Sequence, residues 1–107
     1  MLFRSIFLQV NTSGEESKSG CAPGELDVLV ERARDRGLVL DGLMTIGPTS
    51  GEERATRAAF RLLRRLVDDH GLVQCSMGMS GDLEIAVEEG STMVRVGSAL
   101  FGPRHSP

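Results

Sequence analysis

The segment Ser76-Met77-Gly78-Met79-Ser80-Gly81-Asp82 carries the densest chemical signal in this sequence. It falls where a strand turns into a helix. Glycines there let the backbone come close to a ligand, and the free N–H groups of a helix start, helped by its dipole, attract an anion. That pattern suits a phosphate cradle, with the Ser80 hydroxyl as a further contact. A plainer reading stands beside it, in which Ser80 caps the helix and the glycines only make the turn. A second signal lies at residues 92–98. Alternation along a strand puts Thr92, Val94 and Val96 on one face and Met93, Arg95 and Gly97 on the other. The valines suit a face covered by helices, so Arg95 points away from them, and Gly97-Ser98 offers a second glycine-containing strand exit. The alternative for Arg95 is a structural ion pair.

Other reactive side chains have blander settings. Lys18 is the only lysine in the sequence and sits in a polar, glycine-punctuated loop, where a solvated amine is the simple expectation. Cys21 and Cys75 are far apart and match no metal-ligand spacing, so two free thiols in a reducing cytosol are expected. His70 follows a helix and His105 lies in the tail; neither has a visible Ser or Cys partner for a triad. Arg54, Arg57, Arg61, Arg64 and Arg65 recur at helical spacing and read as a solvated face. Glu15, Glu16, Asp82 and Glu84 fit loop and helix-start positions better than acid/base pairs.

The elements that must position these groups alternate regularly. An apolar run at residues 6–10 predicts a strand, followed by a loop and a helix from Glu25 to Gly37 with Leu26, Leu29, Val30 and Ala33 inside. A second strand over 39–46 leads through a Gly-Pro loop into a long helix over 52–70. Ser50 and Glu53 have capping-box spacing there, and Ala55, Ala59, Leu62 and Leu66 are the expected buried stripe. A third strand over 72–77, a short helix over 82–89 and a fourth strand over 93–96 complete the pattern. Strands alternating with helices imply βαβ units and a parallel sheet. Four such units are half of an eight-fold barrel, which usually takes about 250 residues. The expectation is an α/β fold, either a small open sheet or the second half of a TIM-type (β/α)8 barrel. The first strand begins almost at Met1 with nothing to cover its edge, which favours the half-barrel, with residues 1–107 as one partial domain. In such barrels phosphate commonly binds in the loops after the seventh and eighth strands. If these are the last two strands, both cradles lie there and Arg95 faces the interior near the mouth.

Composition narrows the classes of function. The chain has 107 residues, 40% apolar and 25% charged, with a formal net charge of −3, which describes an ordinary globular domain. Binding of nucleic acid would want basic excess interleaved with aromatics, but there are four Phe and no Tyr or Trp. No apolar run approaches a membrane span, and the N-terminus lacks the continuous apolar region of a secretory signal. A cytoplasmic location is expected.

Several motifs, in order, carry a resemblance. Leu8-Gln9-Val10-Asn11, Gly14-Glu15-Glu16-Ser17-Lys18-Ser19-Gly20, Gly42-Leu43-Met44-Thr45-Ile46, Ser76-Met77-Gly78-Met79-Ser80 and the run from Gly90 to Gly102 resemble the C-terminal half of the pyridoxal 5′-phosphate (PLP) homeostasis protein family. That family is similar to the N-terminal barrel domain of alanine racemase. The match extends from about Leu8 to Arg104, with Gly81 where an Asp is common and Ser98 where Thr is often found.

The resemblance implies a barrel that holds PLP by a Schiff base, buffers and delivers it to PLP-dependent apoenzymes, and has no established turnover. By motif, Ser80 would bond the phosphate, Gly97 and Ser98 would complete the cradle, and Arg95 would face the pyridine nitrogen. The family's Schiff-base lysine sits on the first barrel strand, in the half this sequence does not contain. Lys18 resembles a secondary lysine of the family, and is the one side-chain amine here able to reach an aldehyde. Family members are monomers, whereas open strand edges give this chain a route to self-association. Two rival readings are a piece of a PLP-dependent racemase or decarboxylase barrel, and a half-barrel interaction module that binds nothing small.

Overall fold

The computed structural model describes residues 5–16 and 18–95. Four strands, β1 (Ser5–Gln9), β2 (Val39–Met44), β3 (Gln74–Met79) and β4 (Met93–Arg95), form one sheet in the order β1-β2-β3-β4. Every neighbouring pair is parallel. Helices α1 (Leu26–Asp35), α2 (Glu53–Asp69) and α3 (Leu83–Glu88) make the crossovers, and 3-10 turns at Pro23–Glu25 and Ser80–Asp82 lead into α1 and α3. The alternation expected from sequence is therefore present, as an α/β sheet of four parallel strands joined by three helices among the described residues.

All three helices cover the same face. The core joins Val10, Leu43, Cys75 and Met77 from the strands to Leu26 and Val30 of α1, to Ala59, Phe60, Leu63 and Val67 of α2, and to Ala86 of α3. Each large side chain fully buried there contributes roughly 1.5–3 kcal/mol. The α2 stripe differs from the expected one: Thr56, Ala59, Phe60, Leu63 and Val67 are buried, and Ala55, Leu62 and Leu66 flank them half-buried. Both stripes share Ala59 and obey helical spacing. The one centred on Phe60 wins because it buries the larger apolar side chains. Ser50 also departs from expectation: the N-cap of α2 is Glu52, and the Ser50 hydroxyl accepts the Glu52 N–H at 3.3 Å instead of capping the first turn.

Leu8 and Val10, Leu43, Cys75 and Val94 turn toward the helices, so alternation sends Gln9, Met44, Ser76 and Met93 to the opposite face. Those four lie in one continuous row across the sheet, because Gln9 pairs with Met44, Met44 with Ser76, and Ser76 with Met93. Gly42 sits beside them in β2, where a Cβ would overlap the Gln74 backbone carbonyl of β3. The sheet can close up at this point only because position 42 has no side chain.

The third strand runs further than expected. It continues through Gly78 to Met79, with a register shift: Ser76 pairs with Met93 and Met79 with Arg95, three steps on β3 against two on β4. This is a bulge. Gly78 has φ +105°, and a Cβ there would lie 2.5 Å from that of Ala86 and 3.2 Å from Val94 Cγ1. Val96, Gly97 and Ser98 lie outside the described residues.

Truncating the core centre tests this packing. Phe60→Ala should cost about 3–5 kcal/mol by urea unfolding, whereas Val28→Ala, at a position 52% exposed, should change stability little.

Candidate functional site

The carboxyl-terminal ends of β1 and β2 are tied by a polar network that fixes the loops above them. Thr45, buried just beyond β2, donates its hydroxyl to the Val10 carbonyl at 2.7 Å, and its Oγ1 lies 2.9 Å from that of Thr12. In the loop after β1, the Asn11 side-chain amide donates to the Glu15 carbonyl at 2.7 Å, while its Oδ1 accepts the Gly14 N–H at 3.1 Å. The Glu15 carboxylate reaches the next loop and accepts both the backbone N–H of Thr49 at 2.8 Å and its hydroxyl at 2.7 Å. These bonds, the backbone one foremost, hold the Glu15 carboxyl below its ordinary range, and the charge of Lys18 adds to them. Lys18 is half-buried in the same loop, and its backbone N–H donates to the Glu15 carbonyl at 3.1 Å.

At the end of β3 the chain turns at once. The Asp82 carboxylate accepts the Met79 N–H at 2.7 Å, and Asp82, not Ser80, is the N-cap residue of α3. Ser80 opens the 3-10 turn between them, half-buried. A concavity of about 320 Å³ beside it is lined by Glu53, Ser80, Gly81, Asp82 and Glu84, with Leu83 and Ile85 below. Three carboxylates make that side of Ser80 unfavourable for an anion. The favourable side is the one toward β4, where the bulge sets Met79 against Arg95 and so places Ser80 one residue beyond the partner of Arg95.

Arg95 is exposed on the face free of helices and forms no ion pair among the described residues. The ion-pair alternative raised by the sequence therefore has no partner in this region. Its setting contrasts with that of the α2 arginines, which are not a simple solvated face. Arg57 binds Glu88 at 2.7 Å and Glu89 at 3.1 Å, Arg61 binds Glu89 at 3.1 Å, and Arg64 binds Asp68 at 2.6 Å and the Gly90 carbonyl at 3.1 Å. These clamps fasten the end of α3 to α2. Glu89 is held below the ordinary carboxylate range by Arg61 first and Arg57 second. Arg54 and Arg65 remain exposed, as expected.

Asp68 is one helical turn from Arg64, but sequence spacing gave no sign of Glu88, Glu89 and Gly90, which lie far along the chain. The same holds for His70, whose Nε2 is 2.7 Å from Asp27 Oδ1 and whose Nδ1 is 2.8 Å from the Leu66 carbonyl, joining α1 to α2. Both cysteines are free thiols. Burial pushes the Cys75 thiol up to about 11 and raises that of Cys21, so neither is set up as a nucleophile. Among the described residues no cluster of His, Cys, Asp and Glu could hold a metal ion, and no helix is long and apolar enough to cross a membrane.

A parallel sheet with all its helices on one side, and with its functional loops at the carboxyl ends of the strands, is one wall of a β/α barrel. The chain belongs to the family described as alanine racemase, N-terminal domain, whose pattern matches residues 4–105. A pyridoxal phosphate homeostasis protein of Pseudomonas aeruginosa is 52% identical over 103 residues, covering 94% of this chain and 45% of the relative. Among solved structures, a protein of Bifidobacterium adolescentis superposes with a TM-score of 0.84 at 42% identity, over 94% of this chain and 44% of its own. PipY of Synechococcus elongatus, solved with PLP bound, gives 0.70 at 32% identity over 92% of this chain and 50% of its own. The resemblance to this family is thus borne out, and the chain spans about half the length of these relatives or less.

The Glu15 bridge makes the loop layer sensitive to acid. A carboxyl whose folded pKa is depressed adds stability that is present above the unfolded value of 4.5 and is lost as pH falls through the folded one. Glu15→Gln should remove part of the loss of stability seen below pH 4.5, read by thermal unfolding across an acid series.

Proposed function

We propose that this chain is the C-terminal half of a PLP homeostasis protein, a non-catalytic carrier of the cofactor in the cytoplasm that passes it to PLP-dependent apoenzymes. Residues 1–107 make one partial domain in this reading. The observation that carries it is Arg95, a cation on the helix-free face, next in the sheet to the strand end that presents Ser80. The groups suit the ligand: a hydroxyl and a glycine-containing turn for the phosphate, and a guanidinium one strand away for the ring.

PLP, when bound, supplies an aldehyde and an electron-accepting pyridine ring. Ser80 would hold the phosphate, and Gly97 and Ser98, outside the described residues, would add the contacts that the motif resemblance implies. The Arg95 guanidinium has donors and no acceptor, so a ring nitrogen placed against it would have to accept and would be held unprotonated. The ring would then be a weak electron sink, which suits holding over turnover. Met79 and Met93, 46% and 44% exposed, offer apolar surface beside Arg95 for the ring. The lysine that bonds the aldehyde in the whole protein lies outside these residues in this reading, and Lys18 remains a loop lysine.

Support for the reading comes from the pyridoxal phosphate homeostasis proteins that this chain matches and from the PLP-bound PipY structure. Calorimetric titration tests it on the chain as it stands. PLP should bind at least about 10-fold more tightly than phosphate-free pyridoxal, and Ser80→Ala should narrow that gap. Arg95→Ala should weaken PLP about 10–100-fold, the loss of a charged hydrogen bond. Equal binding of the two ligands would refute the phosphate site.

A further inference from the structure

Asp82 is a charged group that the proposed cofactor site does not use. A carboxylate close to a phosphate is electrostatically unfavourable, and Glu53 and Glu84 already line the same concavity. Asp82 is nevertheless half-buried there, and its two oxygens face different segments. Oδ1 accepts the Met79 N–H at 2.7 Å, which folds the turn Ser80–Asp82 back onto the end of β3. Oδ2 lies so close to Gly47, in the loop after β2, that a Cβ at position 47 would be 2.9 Å from it.

We propose that Asp82 is a positioning residue for the phosphate grip: seated on Gly47, it sets where the Ser80 turn stands relative to the exit of β2. The inference deepens the cofactor reading and rests on it. The seat is held from several directions. The Thr45 N–H donates to the Ser76 carbonyl at 3.1 Å, joining the start of this loop to β3. The Gly51 N–H closes a turn on the Pro48 carbonyl at 3.1 Å, and Glu15 holds Thr49 from the loop after β1. Phe60 of the core lies beneath, since the same Cβ at position 47 would be 3.4 Å from its Cζ.

A carboxylate resting on such a floor passes its position to the turn it closes, through one charge-assisted hydrogen bond to the Met79 N–H. On the strand side Met79 is fixed by its pairing with Arg95. Bulge and carboxylate thus hold the step from Met79 to Ser80 from both ends. Gly47 offers a probe of the contact that leaves the turn itself intact. Its backbone does not take a positive φ, so alanine suits its conformation, and the clash falls on the end of the Asp82 side chain.

Calorimetric titration of the full 107-residue chain with PLP and with phosphate-free pyridoxal separates positioning from mere support, because a general loosening weakens both ligands alike. Gly47→Ala displaces the carboxylate and Asp82→Ala removes it. Each should lower the preference for PLP over pyridoxal about 10-fold, the worth of one charge-assisted hydrogen bond, while pyridoxal affinity falls less than about 2-fold. Asp82→Asn keeps an acceptor for the Met79 N–H and removes a negative charge, so it should hold PLP at least as tightly as the native chain. Without ligand, hydrogen exchange of the Met79 amide should quicken in Gly47→Ala and Asp82→Ala. Should Asp82→Ala fail to fold, Gly47→Ala decides, since it changes no hydrogen-bonding group. A native preference that survives in either folded variant, a loss shared equally by both ligands, unchanged Met79 exchange, or an Asp82→Asn chain as weak as Asp82→Ala would overturn this inference alone. Equal binding of the two ligands by the native chain would overturn the cofactor reading with it.

Discussion

Position 78 has no room for a side chain, and its backbone has a φ of +105° that L side chains rarely adopt. A Cβ would meet Ala86 of α3 and Val94 of β4 together, so the absence of one lets helix, strand and neighbouring strand converge. The bulge centred there changes the phase of β3. Before it, Cys75 and Met77 face the core and Ser76 faces away; after it, Met79 shares a face with Ser76 instead of Met77. That change sets Met79 against Arg95 and starts the turn at Ser80. With an unbroken strand the same residues would alternate differently, and Ser80 would not follow directly on the partner of Arg95.

The helices hold this geometry from one side. Phe60, Leu63 and Val67 seal α2 onto β2 and β3, while Arg57, Arg61 and Arg64 tie α2 to the end of α3 and to Gly90. Such exposed ion pairs add little stability singly, on the order of 0–1 kcal/mol. Their joint effect is positional: they fix the segment from which β4 departs, and through it the place of Arg95. At the carboxyl ends of the strands, polar bonds at Thr45, Asn11 and Glu15 order the loops, and the face opposite the helices is left uncovered by them.

Much of this was legible in the sequence. Period-two and helical spacing found each strand and α-helix of the described residues, and the valines of the last strand were enough to turn Arg95 away from the core, as Val94 confirms by packing on it. What spacing could not resolve was a choice between two adjacent stripes on α2, because alanines and leucines satisfy one and a phenylalanine with leucine and valine the other. Gly78 looked like a loop residue because glycine in a strand and glycine in a turn read alike. The clamps from Arg57 to Glu88 and from His70 to Asp27 span 31 and 43 residues, separations at which no local pattern survives. Gly97 and Ser98, read as a second strand-exit cradle and given their roles by the motif resemblance, fall outside the described residues.

The central claim is that Ser80 and Arg95 form one site on the helix-free face of the sheet. Backbone amide chemical-shift mapping during a PLP titration tests it most directly. Shifts concentrated at residues 79–81 and at Arg95, with the α2 amides near Arg54 and Arg65 unmoved, are the expected result. Shifts centred on that arginine row, or on the acidic concavity between Glu53 and Glu84 with Arg95 silent, would contradict it.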